Sequence, residues 1–156
     1  MHTDDDVVEQ QQLFSLMARV ERRYRAHVKD RLEFLGVTTR EYELLLIIQR
    51  QGSPAPASIA RSAAVSRQLV HRLLTELARR DLVQKWSPSD DPSDVRVGLT
   101  RAAEELLADA SAVVETVQQT VLRTLGVERQ MALASLLGAL EAALVEVHRR
   151  PELADH

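Results

Sequence analysis

Arg67, Gln68, His71 and Arg72 fall within six consecutive residues, and all four carry polar groups suited to nucleic acid. A guanidinium fork matches the O6 and N7 acceptors of guanine, and a carboxamide matches N6 and N7 of adenine. An imidazole can donate to a base or a phosphate. At about 100° per residue, Gln68, Arg72, Thr75 and Arg79 share one side of a helix, with His71 beside them. Val70, Leu73, Leu74 and Leu77 take the other side in the i, i+3, i+4, i+7 pattern of a buried face. Ser66 occupies the N-cap position, where its hydroxyl accepts from a backbone N–H and the first-turn amides can hold a phosphate. The spacing predicts a short capped helix from Ser66 to Arg80, with an apolar back and a cationic, amide-bearing front shaped for the major groove of DNA. Leu69, off the buried stripe, is placed to touch a thymine methyl. Ordinary roles stay open: Arg72 and Glu76 form an i, i+4 pair, and Leu69 has packing to do.

A helix of this kind must be carried by a frame. The chain has 156 residues, enough for a substantial core, with 45% apolar and 28% charged residues. Aromatics are only 3% while Leu, Ala and Val abound, which favours helices over a β-sandwich. The expected class is mostly α with a small β-hairpin wing.

The chain in order supports this. Leu13, Met17, Val20, Tyr24, Val28, Leu32 and Leu35 form one stripe on a helix from about Val7 to Leu35, about 40 Å long. Gly36 ends it, and Thr38 with Glu41 has capping-box spacing for a second helix to about Arg50. A third helix spans Pro56 to Ala63, with only Ala63 to Val65 before the capped helix. That is the helix-turn-helix order. Leu82–Trp86 and Val95–Leu99 read as two short strands around a Ser/Pro/Asp loop. Thr100 caps a helix to about Leu125, Gly126 ends it, and a last helix runs from Val127 to Arg150. The expected division is an N-terminal dimerisation helix at 1–35, a winged helix-turn-helix domain at 36–100, and C-terminal dimerisation helices at 101–156. The long helices carry full apolar stripes that the compact central unit cannot bury alone. A bundle shared between two copies is their simplest home.

Net charge is −3, yet residues 54–101 hold eight Lys/Arg against five acids, so the acidic excess lies elsewhere. Local charge sets the field at a docking face. There is no cysteine, which excludes disulfides, thiolate metal sites and thiol redox switching. No run approaches eighteen consecutive apolar residues, so no membrane span is expected. The acidic start Met1-His2-Thr3-Asp4-Asp5-Asp6 is unlike a signal peptide, and the chain reads as cytoplasmic.

The sequence resembles the multiple-antibiotic-resistance regulator (MarR) family of winged helix-turn-helix proteins. The likeness rests on Ile59-Ala60, Val65-Ser66-Arg67, Val70-x-Arg72-Leu73-Leu74-x-x-Leu77-x-Arg79-Arg80-x-Leu82-Val83 and Leu99-Thr100. The resemblance implies that the recognition helix enters the major groove, the wing reaches the minor groove and the terminal helices dimerise. It also implies a small-molecule effector bound between the dimerisation and DNA-binding parts, with Tyr24, His27, Tyr42 or nearby arginines as residues within reach. Three departures stand out. Asp81 and Ala103 occupy positions where the family usually has glycine, and the Asp-Arg-Arg of the wing is reduced to Asp91-Pro92-Ser93-Asp94 ahead of Val95-Arg96. Arg96 is the wing arginine that remains, with Lys85 on the opposite strand. Ser66, Arg67, Gln68, His71, Arg72 and Arg96 are therefore the expected DNA-binding residues.

Rival classes are weaker. There is no Gly-x-Ser-x-Gly elbow, no glycine-rich phosphate loop and no His-Glu-x-x-His, and the five histidines are scattered. No catalytic residue, metal site or cofactor is expected. The alternative is a winged-helix interaction or adaptor dimer with weak or no DNA binding, kept open by the acidic wing and the net negative charge.

Overall fold

The computed structural model describes residues 3–89, 91 and 94–149, with side-chain surroundings from residue 10 onward. The order is α1 (Thr3–Phe34), α2 (Thr39–Gln51), α3 (Pro56–Ser62), α4 (Arg67–Arg79), β1 (Val83–Trp86), β2 (Arg96–Leu99), α5 (Arg101–Leu122) and α6 (Gly126–Arg149). Among the described residues this is the mostly helical class with a two-stranded antiparallel hairpin expected from the periodicity. The chain divides into two compact units, residues 1–115 and 116–156.

Three helices of the first unit end in the same motif. The N–H of Val37 bonds to Leu32 O and that of Gly36 to Glu33 O, closing α1. The same pair of bonds closes α3, from Val65 to Ala60 and from Ala64 to Arg61, and α4, from Leu82 to Leu77 and from Asp81 to Ala78. Each needs one left-handed residue just past the helix. Gly36 (φ 72) takes it freely, but Ala64 (φ 51) and Asp81 (φ 56) carry a Cβ there. Asp81 thus fills a position that normally favours glycine, in the conformation that glycine would adopt.

The core of this unit is built where four elements meet the hairpin. Leu44, Leu45 and Ile48 of α2, Ile59 of α3, and Val70, Leu74 and Leu77 of α4 are buried against Val83, Val97 and Leu107. Burying each such side chain stabilises by about 1.5–3 kcal/mol. Ala103 is fully buried in the same cluster, where a small side chain suits the close packing of α5. The hairpin pairs Val83 with Leu99, Gln84 with Gly98, Lys85 with Val97 and Trp86 with Arg96. Its free edge is tied down by Val97 N–H donating to Pro54 O at 3.0 Å. Thr100 closes the base, its hydroxyl donating to Asp81 O at 2.7 Å and accepting from Ala103 N–H at 3.2 Å. The expected cap of α5 is therefore present.

On α1, Val28 and Leu32 are buried, whereas Leu13, Phe14, Leu16 and Val20 are exposed. In the second unit, Gln130 Nε2 donates to Leu122 O at 2.7 Å, joining the end of α5 to α6. None of the described α6 residues is buried, and Met131, Leu136 and Leu144 are among its exposed apolar side chains. By length and composition alone α6 is the one described helix long and apolar enough to cross a bilayer. Glu141 and Glu146 break the run in sequence, but a helix averages its hydropathy over its whole length.

Candidate nucleic-acid interface

The turn between α3 and α4 sets the site. Ala64 reverses the chain, Val65 is half-buried beneath it, and Ser66 enters α4 in an extended conformation. The Ser66 hydroxyl accepts from Leu69 N–H at 3.2 Å, the N-cap that the sequence called for. Anchoring Val70, Leu74 and Leu77 in the core fixes the rotation of α4 about its axis. Arg67, Gln68, His71 and Arg72 are consequently all exposed on one end of the helix.

Their side chains are not spent internally. Glu76, the expected i, i+4 partner of Arg72, bonds instead to Arg79. Among the described residues, the side chains of Arg67, Gln68, His71 and Arg72 have no hydrogen-bond or ion-pair partner. Thr75 donates its hydroxyl to His71 O at 2.8 Å, so its donor is spent within the helix. Leu69 is half-buried, consistent with packing as well as contact. The front of α4 is a row of uncommitted donors beside a capped, electropositive helix end.

Residues 35–94 match the MarR family.

That span contains α2, α3, α4, β1 and most of the wing loop, and it includes Ser66, Arg67, Gln68, His71 and Arg72 but not Arg96. The fold agrees over much more of the chain. The MarR family transcription regulator SP03579 superposes with a TM-score of 0.84 at 17% identity, covering 94% of this chain and 99% of that one. The transcriptional regulator PA3341 is 28% identical, with a TM-score of 0.73 over 86% of this chain and 98% of its own. A mutant of MarR from E. coli, complexed with operator DNA, is 20% identical with a TM-score of 0.74 and covers 85% of this chain and 95% of that one. The resemblance read from the sequence is borne out, and the chain carries the fold of MarR-family transcription regulators.

The hairpin carries the remaining expected contact, Arg96. Strand alternation puts Gln84, Trp86, Arg96 and Gly98 on one face of the hairpin, and Lys85 on the other. Lys85 therefore does not share a face with Arg96, a correction to the help expected from it on the opposite strand. Arg96 Nε donates to Asp94 Oδ1 at 3.0 Å, and Ser89 Oγ donates to Asp94 Oδ2 at 3.2 Å. Asp94 is thus a neutralised partner and not a loose acid at the tip, while the two Nη groups of Arg96 have no partner among the described residues. Trp86 lies across Gly98, where a Cβ would meet its ring at 2.9 Å.

Of the residues named for an effector, Tyr24 and His27 lie on α1 and Tyr42 on α2. Tyr42 Oη sits 3.4 Å from Ser111 Oγ, tying α2 to α5, and His27 is exposed on α1. A groove on α1 is lined by Leu16, Arg19, Val20 and Arg23, so it holds two of the arginines near Tyr24 and His27 but none of Tyr24, His27 and Tyr42 themselves. The sequence reading also missed the ion pair between Arg80 and Glu41, which are 39 positions apart. Thr38 and Glu41 announced a cap, but nothing local pointed to the arginine.

Proposed function

We propose that this chain is a sequence-specific DNA-binding transcription regulator, a repressor that binds a pseudo-palindromic operator as a homodimer. The observation that carries the reading is the uncommitted front of α4, with Arg67, Gln68, His71 and Arg72 exposed beside the Ser66 cap. Arg67 and Arg72 pair with guanine, Gln68 reads adenine, His71 donates to a base or phosphate, and Ser66 helps to hold a phosphate. Arg96 adds a wing contact. The DNA-binding domain is 36–100, and the helices of 1–35 and 101–156 dimerise. Supporting the dimer, Leu13 and Val20 on α1 and Leu136 and Leu144 on α6 are exposed in the single chain, more apolar surface than an isolated protein keeps in water. A small-molecule effector that releases the operator, and a cytoplasmic location, follow from the likeness to the family.

Selection from random duplex DNA tests this directly. Enrichment of an inverted repeat with half-sites about one helical turn apart (~34–36 Å) is expected. Failure to enrich any site would overturn the reading. The second reading, an adaptor dimer that does not use DNA, is favoured by one observation: Arg96 is already paired with Asp94. Salt titration separates the two, because a DNA binder loses affinity steeply as counterions compete for phosphate.

A further inference from the structure

Glu41 is the only charged residue among the described residues that is buried, at 5% exposure. Its carboxylate is fully used. Oε2 accepts from Thr38 N–H and from Thr38 Oγ1, each at 2.8 Å, and Oε1 accepts from Arg80 Nη1 at 3.0 Å. The other end of the same guanidinium, Nη2, donates to Gly36 O at 2.7 Å. Gly36 is the left-handed residue that ends α1, Thr38 is the N-cap of α2, and Arg80 is the C-cap of α4. One planar fork therefore joins three helix ends.

This is more than a capping box needs. Such a box works with an exposed glutamate and no cation, because the carboxylate only has to satisfy the N-cap amide. Burying a carboxylate and pairing it with a distant arginine has a desolvation cost that offsets much of the attraction, so stability alone is a poor account of it. What the pair supplies is direction. A guanidinium bonded through two different nitrogens to two fixed acceptors allows little rotation. Gly36 O and Glu41 belong to the turn that leaves α1, so the C-terminal end of α4 is held at a set angle to α1.

We propose that Arg80 is a positioning residue that determines operator spacing, a role that rests on the DNA-binding reading above. By tying α4 to the α1–α2 turn, it transmits the geometry of the dimerisation helix to the recognition helix, so that the two recognition helices of a dimer meet half-sites at one separation only. Arg80 itself need not touch DNA.

Two measurements test it. The chain has no cysteine, so Arg19→Cys with Ala78→Cys places spin labels on α1 and α4 of one chain, diluted with unlabelled protein. The α1–α4 distance distribution is expected to broaden in Arg80→Met and in Arg80→Lys, which keeps the charge but loses the fork. An unchanged distribution would overturn the brace without bearing on DNA binding. The second measurement uses the selected operator and the same operator with one base pair inserted between half-sites. Wild type is expected to prefer the native spacing, and Arg80→Met to lose about tenfold of that preference, the scale of one hydrogen bond to a charged group. A uniform loss of affinity at both spacings, or none, would reduce Arg80 to a structural residue. Should Arg80→Met not fold, Glu41→Gln keeps the shape of the cap and weakens the same joint. If no operator is enriched while the distances still broaden, the DNA reading fails and the brace stands.

Discussion

Arg96 donates its Nε–H to Asp94 at 3.0 Å, so the wing arginine is held by one nitrogen while its Nη groups have no partner among the described residues. The pair is neutral as a whole, so a wing contact with phosphate rests on the Nη donors that Asp94 leaves unused. Arg96→Ala is expected to weaken binding to all duplex sequences alike and to flatten the dependence of log affinity on log salt by about one unit. Affinity measured at several salt concentrations decides it. An unchanged slope would take Arg96 out of the interface.

Arg72 stands free because Glu76 is bonded to Arg79. Removing it costs the fold nothing that is visible in the structure, but it deletes a fork able to read guanine. Arg72→Ala is expected to reduce operator affinity by about 1–3 kcal/mol or more and to relax specificity at one base pair. Thermal unfolding should be unaffected. Gel-shift titration at fixed salt is the check, and wild-type affinity would exclude Arg72 from base recognition.

Gly98 sits under the Trp86 ring, with only 2.9 Å available for a Cβ. Gly98→Ala must displace the indole, which is already 39% exposed and has solvent to move into. We expect a loss of about 1 kcal/mol from the hairpin. Trp86 is the sole tryptophan, so its emission should shift to the red as the ring is wetted. Emission that does not move would mean that the strand adjusts instead.

Ala64 holds a left-handed backbone, φ 51, at the turn that leads into the recognition helix. An L-residue there is disfavoured by about 1–2 kcal/mol, part of which a glycine would return to the unfolded chain as entropy. Ala64→Gly is expected to raise the urea midpoint, by up to about 1 kcal/mol in stability. A lower midpoint would show that the methyl group has a packing role that outweighs the strain.

Much of this molecule follows from local rules. The helix ends were legible because Gly36, Ser66 and Thr100 act on backbone groups within a few residues of themselves, and the buried face of α4 because Val70, Leu74 and Leu77 recur at helical period. The same period placed Arg67, Gln68, His71 and Arg72 on the opposite side. What the tertiary structure alone decided are relations between residues far apart in sequence or separated by a turn. It put Lys85 and Arg96 on opposite faces of the hairpin, and brought Arg80 to Glu41 and Gly36. Periodicity reports which way a side chain points from its own element, but not which element lies there. That is set by packing of the shared core, and the polar partners are those that the packing leaves within reach.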